Sequence, residues 1–204
     1  MHISWLGQTC VRLQTKNQDE EVVVLIDAYK PDNGEFPRSF TPQMALYSHG
    51  LDGAATTSQD PFVISTFGEC EVKGVMCYSL PVEGGQIFKI NAENLNVVHL
   101  GKITQKIDDA TIEKLGTPDV LIIAVGDSKE YLSPEQASEL ITAIEPRIVI
   151  PMGYQCDTDP KVRPLSDFLK ASGLKAEMTD KKLILKKKDL PSGETKLMVL
   201  EKNY

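Results

Sequence analysis

The sequence has no apolar run that approaches the roughly 20 residues needed to cross a bilayer. Its first residues, Met1 to Gly7, lack the charged and apolar regions of a signal peptide. Positive charge is scarce, with 22 lysines and arginines against 29 aspartates and glutamates and a net charge of −7. This balance argues against nucleic acid or an anionic membrane as the main partner. We therefore expect a cytoplasmic protein with no nucleic-acid and no membrane partner.

Cysteine pairs at metal-binding or redox spacing are also missing. None of the four cysteines, Cys10, Cys70, Cys77 and Cys156, belongs to a Cys-x-x-Cys pair. This excludes the spacing of zinc knuckles and of thioredoxin-like redox sites. In a reducing compartment we expect free, partly buried thiols.

What the sequence does contain is the composition of a globular domain. The chain of 204 residues has 41% hydrophobic and 25% charged residues, which are ordinary values. This length suffices for one domain of two or three layers with a core of its own. Because no linker or strong internal repeat divides the chain, we predict a single domain over residues 1–204.

The part of the chain before Gly101 is rich in strand signals. Short apolar runs recur at close intervals and are separated by turn residues. They predict strands at 3–6, 10–15, 21–27, 43–48, 62–66, 71–80, 86–90 and 95–100. We expect this strand-rich part to supply one sheet.

After Gly101 strands alternate with helices. Ser133, Pro134 and Gln136 are a good helix start, with a capping serine, proline at the first helical position and glutamine at the third. Further helices are predicted at 108–115 and at 164–172. Strands are predicted at 120–125, 147–151, 182–185 and 196–200, and we expect them to form a second sheet with the helices outside.

One short stretch, residues 47–54, has the features of an active-site loop. It follows the apolar run Met-Ala-Leu-Tyr at 44–47, which predicts the end of a buried strand. The residues after it, Ser-His-Gly-Leu-Asp-Gly at 48–53, form a glycine-rich turn. A strand that ends in such a turn is where α/β folds place their chemistry.

Five segments, taken in order, resemble the small single-domain branch of the metallo-β-lactamase fold, the Zn-dependent hydrolase-like family. They read Trp-Leu-Gly-Gln-Thr-Cys at 5–10, Leu-Ile-Asp at 25–27, Pro-Phe-Val-Ile with Gly-Glu-Cys-Glu-Val-Lys-Gly-Val within 61–75, Val-His-Leu-Gly-Lys at 98–102, and Glu-Pro-Arg-Ile-Val-Ile-Pro-Met-Gly-Tyr at 145–154. The resemblance implies an α+β fold, a four-layer αβ/βα sandwich. Its two mixed sheets pack face to face with helices outside, and a metal cleft lies at one edge.

The same resemblance allows the metal positions to be compared one by one. The family's His-x-His-x-Asp-His motif matches only at His49, because Leu, Gly and Ala stand at 51, 53 and 54. Lys102 stands at the position of the bridging aspartate, and Gly153 at that of the final histidine. No histidine occurs in residues 82–86, where another ligand is expected. Since a catalytic zinc needs about three protein ligands, the resemblance implies a degenerate member without metal or cofactor.

The remaining residues of the predicted cleft are His49, Asp52, Lys102, Gly153 and Asp27. His49 is either a general base or a histidine hydrogen-bonded at a strand end. The Lys102 ammonium is predicted to pair with Asp27 or Asp52 across the cleft, or to bind an anionic ligand, and the alternative is a solvent-facing lysine. We assign no catalytic residue.

Three functions remain open from the sequence. The first is a metal-free, catalytically silent binding or assembly module whose partner is an active relative, another protein or a small anion. The alternative is a hydrolase with a rebuilt site that uses His49, Asp52 and Asp27. The third is a structural subunit whose role is homo-oligomerisation. The first is favoured, because without the metal nothing in the sequence activates a water molecule.

Overall fold

The computed structural model describes residues 1–17, 20–37 and 40–203, and within these ranges the chain is mainly β-strand. The strands are β1 (His2–Trp5), β2 (Val11–Asn17), β3 (Glu20–Ile26), β4 (Met44–Leu46), β5 (Phe62–Ile64), β6 (Gly68–Val72), β7 (Val75–Val82), β8 (Gly85–Ala92), β9 (Leu95–His99), β10 (Val120–Ala124), β11 (Ile148–Met152), β12 (Ala176–Thr179), β13 (Leu183–Ile184) and β14 (Lys196–Leu200). The helices are α1 (Asp109–Leu115), α2 (Pro134–Ile144) and α3 (Leu165–Ser172).

The strands form two mixed sheets. The N-terminal sheet has the order β13-β1-β2-β3-β4-β5, and its last three strands are parallel. The C-terminal sheet has the order β12-β14-β11-β10-β9-β8-β7-β6. Its strands from β12 to β9 are parallel, and β9 to β6 are antiparallel. The parallel strands matter for function, because their carboxyl ends are where α/β folds bind ligands.

One continuous core joins the two sheets and the helices. Along β3 the residues Val22, Val24 and Ile26 belong to this core, as the two-residue period of a strand requires. Leu25 faces the other way, into a smaller apolar cluster. That cluster is closed by aromatic residues of the β3–β4 connection, among them Tyr29 and Phe40. The outer face of the N-terminal sheet is therefore covered by a connecting segment.

Each helix begins where local sequence signals predict it. The Asp108 side chain accepts a hydrogen bond from the Thr111 amide at the start of α1. At the start of α2, Ser133 and Gln136 form a reciprocal capping box with proline at the first position. Gly173 ends α3 in the left-handed conformation. None of the described helices is long and apolar enough to cross a membrane.

The predicted fold class is confirmed: the chain is an α+β sandwich of two mixed sheets with helices outside. The predicted division of the strands between the sheets is wrong. Strands β6 to β9, from the strand-rich part, belong to the C-terminal sheet, whereas β13 joins the N-terminal sheet. The pairing of strands depends on contacts distant in sequence, which the local pattern does not contain.

Two local predictions are also corrected. Residues 71–80 form parts of two strands, β6 and β7, because a tight turn at Lys73 and Gly74 separates them. Both turn residues have positive φ, 51° and 78°, as a two-residue hairpin requires. The final strands β13 and β14, both predicted for the second sheet, lie in different sheets. Strand β12 was not predicted.

Candidate functional site

Three of the predicted cleft residues meet at the carboxyl ends of the parallel strands. His49, Asp52 and Lys102 line one open cleft of about 280 Å³. Its wall is completed by residues that include Tyr29 from the β3–β4 connection and Asp159 from the β11–α3 connection. The cleft thus draws on the ends of β3, β4, β9 and β11, so that both sheets shape it.

Asp27 lies beneath the cleft and holds its floor in place. Its side chain is buried, and its oxygens accept hydrogen bonds from the Ser48 amide and the Ser48 hydroxyl, both at 2.7 Å. Asp27 itself has a φ of 50°, a conformation that aspartate tolerates better than most residues. The end of β3 is therefore tied to the loop after β4 by one carboxylate.

His49 continues this chain of contacts. Its Nδ1 lies 3.2 Å from the Ser48 Oγ and 3.8 Å from the Asp27 Oδ1. Since the Ser48 hydroxyl already donates to Asp27, Nδ1 must be the donor to Ser48 Oγ, which leaves a lone pair on Nε2. Burial lowers the pKa of His49, and Lys102 lowers it further, while the Asp27 carboxylate opposes the shift. His49 is therefore neutral at pH 7.

His99 is a packed histidine of the same region. It is fully buried, its Nε2 lies 2.9 Å from the Thr9 carbonyl oxygen, and the Gly101 amide donates to its Nδ1. These partners fix a neutral ring that carries its proton on Nε2. Burial lowers the pKa of His99. Its contacts support a positioning role in the core.

The lowered pKa values make stability depend on pH. The folded protein resists protonation of His99 and His49, whereas the unfolded chain takes up these protons near the ordinary pKa of about 6.5. The contribution to stability is complete above about pH 6.5 and is lost progressively as the pH falls below that value. We expect the free energy of unfolding to fall by up to about 1.4 kcal/mol per pH unit for His99.

Urea denaturation between pH 7 and pH 5.5 measures this slope, and proton NMR follows each histidine ring. The variant His49→Asn removes one titrating group and should reduce the slope. Stability that rises on acidification over this range would contradict the assignment.

Lys102 faces the cleft but has a different partner from the predicted ones. Its ammonium lies 2.9 Å from the Glu130 Oε2, and its side chain is only 14% exposed. The predicted pairing with Asp27 or Asp52 is therefore wrong. Glu130 lies in the β10–α2 connection, which follows a parallel strand of the C-terminal sheet and so reaches the cleft.

A second carboxylate stands close to this ion pair. The Tyr131 hydroxyl donates to the Asp159 Oδ2 at 3.2 Å. Burial raises the pKa of Asp159, and Glu130 raises it further, whereas Tyr131 and Lys102 act in the opposite direction. Lys102, Glu130 and Asp159 therefore lie close enough for their charges to affect one another at one end of the cleft.

Gly153 ends β11 and is not among the described residues that line the cleft. Its amide donates to the Gln8 carbonyl oxygen, and its φ is 62°. A Cβ at this position would lie 3.0 Å from the Ala124 Cβ and 3.4 Å from the Tyr131 ring. The space beside Gly153 is thus filled by its neighbours.

The residues around the cleft do not fit a zinc site of the family's type. Across residues 1–17, 20–37 and 40–203, no group of three or more His, Cys, Asp and Glu side chains is arranged to hold a metal ion. Leu51, at the position of the second family histidine, is 53% exposed. Lys102 adds a fixed positive charge beside His49. The donor set therefore falls short of the three ligands that a catalytic zinc needs.

Four residues of the site, Ser48, Glu130, Tyr131 and Asp159, are not assigned to it from the sequence. Ser48 directly precedes His49, and a hydroxyl next to a strand end is a usable signal. The other three lie in connections that follow β10 and β11. Because carboxyl ends of parallel strands share one edge of a sheet, these connections are expected near the cleft once the strand order is known.

Two mixed sheets around one core, with a polar cleft at the ends of their parallel strands, define a sandwich of the metallo-β-lactamase class. Residues 2–153 match the family model described as the Beta-lactamase superfamily domain. The match covers more than half of the chain, and the protein belongs to this family.

Individual relatives agree with this family. A UPF0173 metal-dependent hydrolase of Methanopyrus kandleri is 24% identical, over 76% of this chain and 84% of the relative. A structure named as a Zn-dependent hydrolase of the metallo-β-lactamase superfamily, from Thermotoga maritima, has a TM-score of 0.83 and 23% identity, over 98% of this chain and all of that one. A metallo hydrolase from Ignicoccus hospitalis has a TM-score of 0.63 and 16% identity, over 84% and 90%. At these identities the structural likeness shows the fold alone.

Proposed function

We propose that this member of the family works without a resident metal, as a binding or assembly module. The observation that carries the proposal is the Lys102 ammonium, which is mostly buried and lines the same cleft as His49. A positively charged side chain, Lys102, therefore lies beside His49, the one residue that matches a metal ligand of the family. Its charge opposes a metal ion at this place, although the Glu130 carboxylate at 2.9 Å offsets part of the repulsion.

The ligand we propose is a small molecule with an anionic group. The cleft volume of about 280 Å³ suits a small molecule. Lys102 already pairs with Glu130, but the glutamate side chain is 55% exposed, so water competes for its carboxylate and weakens the pair. An anionic group can therefore share or take over the ammonium at low cost. A protein partner, including a second copy of the chain, is the alternative occupant.

Elemental analysis of the purified protein tests the metal-free state. We expect zinc, manganese and iron at well below one equivalent, both as purified and after incubation with zinc chloride and desalting. The physical reason is the single ligand histidine next to a fixed ammonium. One retained equivalent of any of these metals would overturn the proposal.

Titration with inorganic phosphate, followed by NMR, tests the anionic ligand. We expect Lys102→Met to weaken phosphate binding by about tenfold or more, as the loss of a charge-assisted hydrogen bond predicts. Lys161→Met is the matched control, because Lys161 is exposed on the same cleft, and it should bind like the parent. Equal phosphate affinity of all three proteins would show that Lys102 does not bind the anion.

A second candidate function is a hydrolase with a rebuilt site. The chain Asp27–Ser48–His49 favours it, because it leaves a neutral imidazole with a lone pair on Nε2 at the cleft, and such a group can act as a general base. Hydrolysis of a p-nitrophenyl ester that persists in a chelator and disappears in His49→Asn would support this candidate over the first.

A further inference from the structure

A pair of cysteines lies outside the cleft, on the hairpin formed by β6 and β7. Cys70 and Cys77 are directly opposite each other in the antiparallel register of this hairpin. The turn of Lys73 and Gly74 between them has two residues, both with positive φ. Such a turn fixes the register of its strands, so the two cysteines are held in this pairing by the backbone.

The Cα spacing of the pair lies within the range of disulfide bonds. In a two-residue hairpin the pair that closes the turn, Val72 and Val75, is hydrogen-bonded, and every second pair after it is hydrogen-bonded too. Cys70 and Cys77 therefore occupy a position at which Cα atoms lie about 5.5 Å apart. Disulfides span Cα separations of about 4.4–6.8 Å and need Cβ atoms about 3.5–4.5 Å apart. Opposite Cβ atoms at a hydrogen-bonded pair lie about 5.5 Å apart, so the two strands must approach each other locally as the bond forms, and β6 is free to do so on one side because it is an edge strand. Directly opposite side chains also point to the same face of a sheet.

The two thiols differ in their access to solvent. Cys77 is fully buried in the main core, whereas Cys70, on the edge strand β6, is partly exposed. The other two cysteines have different surroundings. Cys10 is buried in the smaller apolar cluster, and Cys156 contacts the Thr158 hydroxyl. Cys70 is thus the member of the pair that a soluble reagent can reach first.

From this geometry we infer that Cys70 and Cys77 form a dithiol site that closes to an intrachain disulfide when it meets a small-molecule disulfide oxidant such as glutathione disulfide. The Cys70 thiolate attacks one glutathione sulfur, the S–S bond of the oxidant breaks, and one glutathione thiolate leaves. Cys77 then attacks the Cys70 sulfur and releases the second glutathione. Two electrons pass from the protein to the oxidant, and the two thiol protons end on two glutathione molecules.

The environment sets the rate of this reaction. Burial raises the pKa of both thiols, to about 12 for Cys77, where the neighbouring Cys70 adds to the effect. The thiolate is the attacking species, so exchange is slow at neutral pH and accelerates as the pH rises. Once formed, the bond ties the edge strand β6 of the C-terminal sheet to β7.

Non-reducing peptide mapping tests the site on the intact protein. Lys73 lies between the two cysteines, so trypsin separates them into different peptides that only a disulfide keeps together. After incubation with glutathione disulfide at pH 8, we expect a linked pair of peptides that contain Cys70 and Cys77. The number of thiols titrated in denaturant should fall from the four in the sequence to about two.

Two variants sharpen the test. Cys156→Ser removes another partly exposed thiol and should form the linked peptides as the parent does. Cys77→Ala lacks the second thiol, and it should accumulate glutathione on Cys70 instead. The inference is overturned if the parent protein retains four thiols, if it stops at a glutathione adduct on Cys70, or if the linked peptides join any other pair of cysteines.

Discussion

Asp27→Ala is expected to lower the free energy of unfolding by about 3 kcal/mol or more. The substitution removes two hydrogen bonds of 2.7 Å and leaves the Ser48 amide and hydroxyl buried without their acceptor. Each abandoned buried donor costs about 1–3 kcal/mol. Asp27 also has a φ of 50°, at which alanine is disfavoured by about 1–2 kcal/mol.

Urea denaturation followed by circular dichroism measures the loss. Asp27→Asn keeps one acceptor oxygen and tolerates the positive φ, so it should cost less than the alanine variant. Asp52→Ala, on the exposed wall of the same cleft, should change stability by no more than about 0.5 kcal/mol. A loss below 1 kcal/mol for Asp27→Ala would show that the carboxylate is not what holds the Ser48 loop.

The helices could be predicted because their signals are local. The capping residues of α2, Ser133 and Gln136, are three positions apart and act on each other directly. The aspartate that caps α1 and the glycine that ends α3 also act within one turn of their helices. Information of this range is present in any short window of the sequence, which is why the starts of all three helices were placed within a residue or two.

The assignment of strands to sheets could not be predicted in the same way. Strand β13 pairs with β1 across most of the chain length, and β14 pairs with β11 and β12. The apolar pattern of a strand identifies which face is buried, but not which strand lies beside it. The division near residue 101 was therefore misplaced: the chain passes from one sheet to the other between β5 and β6.

Single contacts in the cleft could not be predicted from the sequence either. The family resemblance pointed to His49 and Lys102, and both line the cleft. The partner of Lys102 is Glu130, which lies in a connection that carries no family motif and no local signal of its own. Charge complementarity alone offered other carboxylates, among them Asp27 and Asp52, and choosing Glu130 required the path of the β10–α2 connection.

The structure explains why the Leu-Gly-Lys segment has a glycine at its centre. Gly101 has a φ of 63°, and it passes directly over Ser48. A Cβ added there would lie 2.4 Å from the Ser48 Cβ and 2.6 Å from its Oγ. Because the Ser48 hydroxyl is itself held by Asp27, the serine cannot move away without breaking a buried hydrogen bond.

We therefore expect Gly101→Ala to lower the free energy of unfolding by about 3 kcal/mol or more, the combined cost of strain and of a displaced buried group. Gly53→Ala is the matched control. Gly53 has a similar φ of 73°, but no atom lies within 4 Å of the position its Cβ would take. The control should cost only about 1–2 kcal/mol, from its backbone conformation.

Urea denaturation of the two variants under the same conditions gives the difference directly. An NMR titration of His49 in Gly101→Ala adds a local reading, since a displaced Ser48 changes the partner of Nδ1 and with it the pKa of the ring. Equal losses of stability in the two glycine variants would mean that backbone strain accounts for the whole effect. The close approach of Gly101 to Ser48 would then not be what fixes the floor of the cleft.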